Sequence, residues 1–125
     1  MARVLLLSAD LLFGSRVQGD LGAGGHEVEL IADSERLGAR LRDAGAPRAS
    51  VLVVDLTDER LEGAGAVESL RSGGLLADLA TLGFYSHVDT AARERAEAAG
   101  FDRIVPRSRM AREGPALIAA IAPAD

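Results

Sequence analysis

Residues 50–55 constrain the fold more than any other part of the chain. Four branched apolar residues, Val51-Leu52-Val53-Val54, run directly into the carboxylate of Asp55. Such a run is typical of a strand buried on both faces, as in parallel sheets. Open parallel sheets bind ligands beyond the carboxyl ends of their strands. The stretch therefore predicts a central strand with Asp55 at the functional edge, although aspartate is also common in the loop after any strand.

Strand-like and helix-like patterns alternate along the chain. Apolar segments at residues 4–7, 26–31, 51–55, 81–85 and 101–105 predict five strands. Helical patterns follow them, and the first carries Phe13, Val17 and Leu21 at four-residue spacing on one face. Pro115 suits the first turn of the last helix. Glycines that favour left-handed backbone close four of the helical segments before the next strand: Gly25, Gly45, Gly74 and Gly100.

Strict alternation of strands and helices predicts an α/β fold. Right-handed crossovers place helices on both faces of a five-stranded parallel sheet, for which a common strand order is the flavodoxin-like 2-1-3-4-5. A chain of 125 residues is the size of one ordinary domain. We therefore expect a single domain over residues 1–125.

Composition excludes several classes of function. The chain has no cysteine, so disulfides, thiolate catalysis and cysteine-based zinc sites are excluded. All fourteen basic residues are arginine, which excludes any lysine-dependent mechanism. The net charge of −5 argues against nucleic-acid binding. The short apolar runs and the N-terminal sequence predict an untargeted cytoplasmic protein without a membrane partner.

The predicted strand order brings polar side chains from several strand ends together. Strands one and three are neighbours in that order, so Asp10 and Asp55 should meet at the switch point, where two carboxylates suit Mg²⁺. Asp10 can also serve as a helix N-cap. Tyr85 and Ser86 end the fourth strand and Arg107 follows the fifth. A carboxylate there can act as a nucleophile and form an acyl phosphate.

On these residues the chain resembles the receiver domains of bacterial response regulators (CheY-like), over nearly its whole length. The resemblance implies a signalling module rather than an enzyme, with Asp55 as acceptor of a phosphoryl group from a histidine kinase. It also implies a Mg²⁺ site at Asp10 and Asp55, a Ser or Thr position filled by Tyr85 or Ser86, and Arg107 in place of the family's lysine. The family's adjacent acidic pair after strand one is reduced here to Asp10.

Three functions follow as alternatives. The first is a stand-alone atypical receiver that switches partner binding on phosphorylation of Asp55. The second is a pseudo-receiver, an interaction module that works without phosphorylation; the reduced acidic pair and the absent lysine favour it, and Arg107 would then pair with Asp55. The third is a flavin or small-ligand binder, which the few aromatic residues disfavour. The expected partner is a histidine kinase or another signalling protein, and a homodimer is compatible with each alternative.

Overall fold

A single parallel sheet organises the computed structural model, which describes residues 2–123. Its strands are β1 (Arg3–Leu7), β2 (Glu27–Ile31), β3 (Val51–Asp55), β4 (Ala80–Tyr85) and β5 (Arg103–Pro106). They are ordered β2-β1-β3-β4-β5, and every neighbouring pair is parallel. The predicted fold class and strand order are confirmed.

Helices connect these strands in sequence. They are α1 (Leu11–Ala23), α2 (Ser34–Arg42), α3 (Gly63–Ser72), α4 (Thr90–Ala99) and α5 (Arg107–Ile121), with a short 3₁₀ turn at Glu59–Leu61 before α3. Side-chain caps start three of the long helices, because Asp10, Asp33 and Asp89 each accept a hydrogen bond from the backbone N–H three residues later. These caps fix where the chain leaves the carboxyl edge of the sheet.

The sheet separates two hydrophobic cores. One core lies between α1, α5 and the sheet, and includes Val51, Val53 and Phe84. The other lies under α2, α3 and α4, and includes Leu52 and Val54. Successive residues of a strand point to opposite faces, so β3 contributes to both cores in alternation. Full burial on both faces explains why its sequence is continuously apolar.

The last helix differs from the prediction. It begins at Arg107, directly after β5, and Pro115 lies in its interior rather than in its first turn. Proline removes one N–H from the helical ladder, which weakens a helix. Here Met110, Gly114 and Leu117 form one buried stripe on both sides of Pro115, and their burial holds the helix together. The fifth strand is also later than predicted, because it begins at Arg103 rather than at Phe101.

An ion pair ties β2 to α2 on the outer side of the sheet. The Arg40 guanidinium donates to both carboxylate oxygens of Glu29, at 2.8 and 2.9 Å, and also bonds the carbonyl of Pro47. This bidentate bond lowers the pKa of Glu29 below its usual value.

Within residues 2–123, no helix has the length and apolar character required to cross a membrane.

Candidate functional site at the carboxyl edge of the sheet

Asp55 lies at the end of β3, and both of its carboxylate oxygens accept hydrogen bonds. It is fully buried. Its Oδ2 accepts a hydrogen bond from the Ser8 hydroxyl at 2.8 Å. Its Oδ1 accepts from the backbone N–H of Thr57 at 2.8 Å and from the Thr57 hydroxyl at 2.5 Å. The three donors satisfy a buried carboxylate that would otherwise carry a large desolvation cost.

The sheet register brings Ser8 to Asp55. Leu7 is the partner of Val54 in the pairing of β1 with β3, so the next residue on each strand faces the other across the sheet edge. Ser8 is fully buried, and its hydroxyl also accepts a hydrogen bond from the Asp10 N–H at 3.3 Å. Thr57 reaches Asp55 locally, because an aspartate readily accepts from the backbone N–H two residues later. Sequence reasoning missed both hydroxyl donors.

Asp10 lies at the same edge but acts as a helix cap. Its Oδ1 accepts a hydrogen bond from the Phe13 N–H at 3.0 Å, which starts α1. Its Oδ2 is 3.5 Å from Nη2 of Arg107. Of the two sequence interpretations, the structure shows the N-cap, and the second carboxylate oxygen pairs with Arg107 at the start of α5.

Arg107 is held by Asp10 and by an aromatic ring. Its guanidinium carbon lies 3.9 Å from the centroid of the Phe13 ring, a cation–π arrangement. Phe13 in turn contacts Phe84 of β4, with ring centroids 5.3 Å apart. Within the described part of the chain Arg107 pairs with Asp10 and forms no ion pair with Asp55. The predicted pairing of Arg107 with Asp55 is therefore wrong.

Tyr85 and Ser86 end β4 close to the site without bonding Asp55. Tyr85 is buried in the core under α2, α3 and α4. Ser86 is half-buried, and its carbonyl accepts from the Asp89 N–H at 2.8 Å in the turn before α4. Among residues 2–123, the side chains that donate to Asp55 are those of Ser8 and Thr57. The predicted residues therefore lie along one edge of the sheet, but in the described part of the chain the hydrogen bonds to Asp55 come from Ser8 and Thr57, which the sequence prediction missed.

The acidic side chains described at this edge are engaged with other protein groups and do not form a ready-made cluster of metal ligands. Mg²⁺ requires several oxygen ligands in near-octahedral geometry. Both oxygens of Asp55 already accept hydrogen bonds, and those of Asp10 cap α1 and pair with Arg107. The two residues that follow β1 are Ser8 and Ala9. Over residues 2–123 there is no cluster of three or more His, Cys, Asp or Glu side chains suited to a metal.

The fold is that of response-regulator receiver domains. The chain is similar to the phosphorylated cyanobacterial phytochrome response regulator RcpA, with a TM-score of 0.80 and 15% identity over 96% of this chain and 93% of that one. It is also similar to the Mn²⁺-bound form of the response regulator Rcp1, with a TM-score of 0.79 and 15% identity over 99% of this chain and 100% of that one. The chemotaxis response regulator CheY4 of Vibrio cholerae matches with a TM-score of 0.70 and 22% identity, over 83% of this chain and 84% of that one. No protein-family model matches the sequence, and no curated protein is detectably similar to it.

Proposed function

We propose that this chain is a receiver-fold signalling module that binds its protein partner without phosphorylation of Asp55. The single observation that carries the proposal is the occupation of both Asp55 oxygens by Ser8 and Thr57 in a fully buried position. A carboxylate that attacks a phosphoryl group uses a lone pair of one oxygen, and hydrogen bonds to the carboxylate make it a weaker nucleophile. Here three donors stabilise the unreacted Asp55 carboxylate in a buried position, and each hydrogen bond to a charged group is worth about 1.5–3 kcal/mol.

Charge neutralisation supports the same proposal. Phosphoryl transfer depends on positive charge around the transferred group, commonly from metal ions and basic side chains. Within residues 2–123 no cluster of three or more His, Cys, Asp or Glu side chains is ready to hold a metal, and the Arg107 guanidinium is engaged with Asp10 and Phe13. A phosphoryl group on Asp55 would therefore lack partners for its charge. The module would then bind its partner in one conformation instead of switching between two.

The test is the formation of an Asp55 adduct. The purified chain is incubated with acetyl phosphate and Mg²⁺, and separately with beryllofluoride and Mg²⁺, and is followed by intact mass and by fluorine NMR. We expect no phosphoryl adduct and no bound beryllofluoride. An adduct on the wild type that Asp55→Ala abolishes would overturn the proposal. Ser15→Ala, at an exposed serine of α1, is the control for non-specific changes.

The competing function is the phosphorylation-dependent receiver. The position of Asp55 at the end of the central strand favours it, as does the likeness to RcpA, which was solved in a phosphorylated form. Asp55 would then accept the phosphoryl group from a histidine kinase, with Tyr85, Ser86 and Arg107 around it and Mg²⁺ bound by Asp10 and Asp55. A second measurement separates the two functions, because only this one predicts Mg²⁺ binding that weakens in Asp10→Ala.

A further inference from the structure

The large apolar side chains that the fold leaves exposed lie at one place on the molecule. Among residues 2–123 they are Leu11, Leu12 and Val88, which are 69%, 88% and 76% exposed. Leu11 and Leu12 begin α1 after β1, and Val88 lies in the turn between β4 and α4. Both segments follow the carboxyl ends of strands, so the three side chains belong to the edge of the sheet that carries Asp55.

The strand order makes these side chains parts of one surface, which we call the edge patch (Leu11, Leu12 and Val88). β1 and β4 are the two neighbours of β3. Neighbouring strands are about 4.8 Å apart, so the ends of β1 and β4 lie about 10 Å apart, on either side of Asp55. Apolar side chains that are exposed singly are ordinary, whereas exposed apolar side chains grouped on one surface indicate a site of protein association.

A line drawn along the edge patch separates the carboxyl edge into two flanks. It runs from the start of α1, on the face that carries α1 and α5, across β3 to the turn before α4, on the opposite face. The end of β5 and the start of α5 lie on one side of this line. The end of β2, the start of α2 and the loop after β3 lie on the other side.

The two flanks carry opposite charge. The flank at α5 has more basic than acidic side chains: Arg107, Arg109, Arg112 and Glu113. The flank at α2 and the loop after β3 has more acidic than basic ones: Asp33, Glu35, Arg36, Asp58, Glu59, Arg60 and Glu62. Arg112 is 71% exposed, and its Nε donates to the Ser108 carbonyl at 3.4 Å, so its guanidinium lies back towards the start of α5. Glu35 is exposed and forms no ion pair within the described part of the chain.

A second copy of the chain complements this arrangement. When two identical surfaces meet about a twofold axis, residues on the axis meet their own copies, and residues on one side of it meet those of the other side. An axis along the edge patch therefore places Leu12 against Leu12 and Val88 against Val88. It also places the basic flank of each copy over the acidic flank of the other, which is the charge arrangement that favours association.

We propose that the chain forms a twofold homodimer through the carboxyl edge of its sheet, with the edge patch at the centre and ion pairs between the flanks. The outermost strands β2 and β5 exchange places about the axis, so Glu35 at the start of α2 and Arg112 of α5 are the charges that face each other across the dimer. The dimer does not rest on the proposed function, because it uses side chains around Asp55 and not the chemistry of its carboxylate.

The first test is the oligomeric state of the purified chain, measured by sedimentation equilibrium over a series of protein concentrations. We expect a dimer that Leu12→Ser and Val88→Ser each weaken by about tenfold or more, because each substitution removes apolar surface from the contact. Both side chains are exposed in the single chain, so both variants should fold, which circular dichroism checks. A wild type that stays monomeric at every concentration, or a dimer that either serine variant leaves unchanged, would overturn the proposal.

Reversal of charge tests the orientation of the two copies. Arg112→Glu and Glu35→Arg should each weaken the dimer, because each places like charges opposite one another. An equimolar mixture of the two variants should associate again, since both contacts of the mixed dimer then join opposite charges. Asp20→Arg, at an exposed position near the other end of α1, makes the same change of charge as Glu35→Arg and should leave the dimer intact. A mixture that does not associate more tightly than its components would contradict this orientation and the proposal.

The absence of cysteine from the chain allows a direct measurement of the axis. Because Leu12 lies on the axis, Leu12→Cys should form a disulfide-linked dimer under mild oxidation, as followed by intact mass. Asp20→Cys is the matched control at an exposed position of the same helix and should remain unlinked. Linkage of the two variants at equal rates would show random collision instead of a specific contact, and the homodimer would then be wrong.

Discussion

The Ser8 hydroxyl donates a 2.8 Å hydrogen bond to Oδ2 of Asp55, from the end of the neighbouring strand. Both residues are fully buried, so water cannot replace this contact when one partner is removed. The side chain that stands beside the central aspartate is therefore a neutral donor and not a second acid. Several properties of the molecule depend on this pair.

Removal of the Ser8 hydroxyl should destabilise the fold. Ser8→Ala leaves one oxygen of a buried carboxylate without its side-chain donor, which costs about 1–3 kcal/mol in the free energy of unfolding. Urea unfolding at pH 7.5 measures the loss. Ser15→Ala, on the exposed side of α1, should change the stability by no more than about 0.5 kcal/mol. Equal effects of the two substitutions would show that the Ser8 bond contributes nothing.

Replacement of Arg107 should have a small effect. Its ion pair with Asp10 joins two side chains that are 43% and 40% exposed, and such pairs contribute about 0.2–1 kcal/mol. Its contact with the Phe13 ring adds about 0.5–1 kcal/mol. We expect Arg107→Ala to lower the free energy of unfolding by about 1 kcal/mol, measured against Arg109→Ala. A loss greater than about 3 kcal/mol would indicate that Arg107 compensates the buried charge of Asp55, contrary to the geometry.

Alanine substitutions at two glycines in the first turn of α3 should have opposite effects on stability. A Cβ at Gly63 would lie 2.5 Å from Cγ1 of Val54, because the helix starts directly over β3. Gly63→Ala should therefore destabilise the protein by about 1–3 kcal/mol through overpacking. A Cβ at Gly65 meets only the Arg95 guanidinium, at 3.9 Å. Gly65→Ala should stabilise α3 by up to about 1 kcal/mol.

Thermal unfolding of the two glycine variants measures both effects on the same helix. If Gly63→Ala were as stable as Gly65→Ala, α3 would not pack on Val54 as closely as the structure shows.

The Glu29–Arg40 pair should make stability depend on pH in the acid range. The hydrogen bond from Arg40 lowers the pKa of Glu29 from its ordinary value of 4.5. A lowered carboxyl pKa stabilises the folded state above the unfolded pKa, and this contribution is lost as the pH falls through the folded value. Glu29→Gln should remove that part of the dependence below pH 4.5, as measured by urea unfolding from pH 5 to 3.

Glu94→Gln, at an exposed position of α4, is the control for the loss of one carboxylate. The interpretation of the Glu29–Arg40 pair would be wrong if the two glutamine variants lost the same amount of stability at every pH.

The sequence predicted the fold well because burial leaves a clear pattern. The apolar run of β3 and the glycines after the helices marked five alternating strand–helix units, and the common strand order for such units then gave the edge that carries Asp55. The start of α5 was missed because its first residues, Arg107, Ser108 and Arg109, show no apolar period, and because Pro115 imitates a helix start. Periodicity is not informative where a helix begins on a polar edge.

The site was predicted less well than the fold. Residue types suggested that Asp10, Asp55 and Arg107 would act on one another, but Asp10 caps α1 and pairs with Arg107, whose guanidinium lies over the Phe13 ring. The contact of Ser8 with Asp55 could have been predicted from the pairing of the first and third strands. With strands one and three in register, the residue after Leu7 must stand beside Asp55. The contact of Thr57 with Asp55 depends on a local turn, and the residue type alone does not specify that turn.

The division of β3 between two cores has a consequence for how this edge can change. Val53 and Val54 face opposite cores, so sliding the strand by one residue could place the Asp55 carboxylate in the apolar position of Val54, away from its hydrogen-bond donors. Insertions and deletions within this strand should therefore be poorly tolerated, whereas surface loops farther from Asp55 than Thr57 tolerate changes of length. Evolution can alter what surrounds the aspartate much more readily than where the aspartate stands.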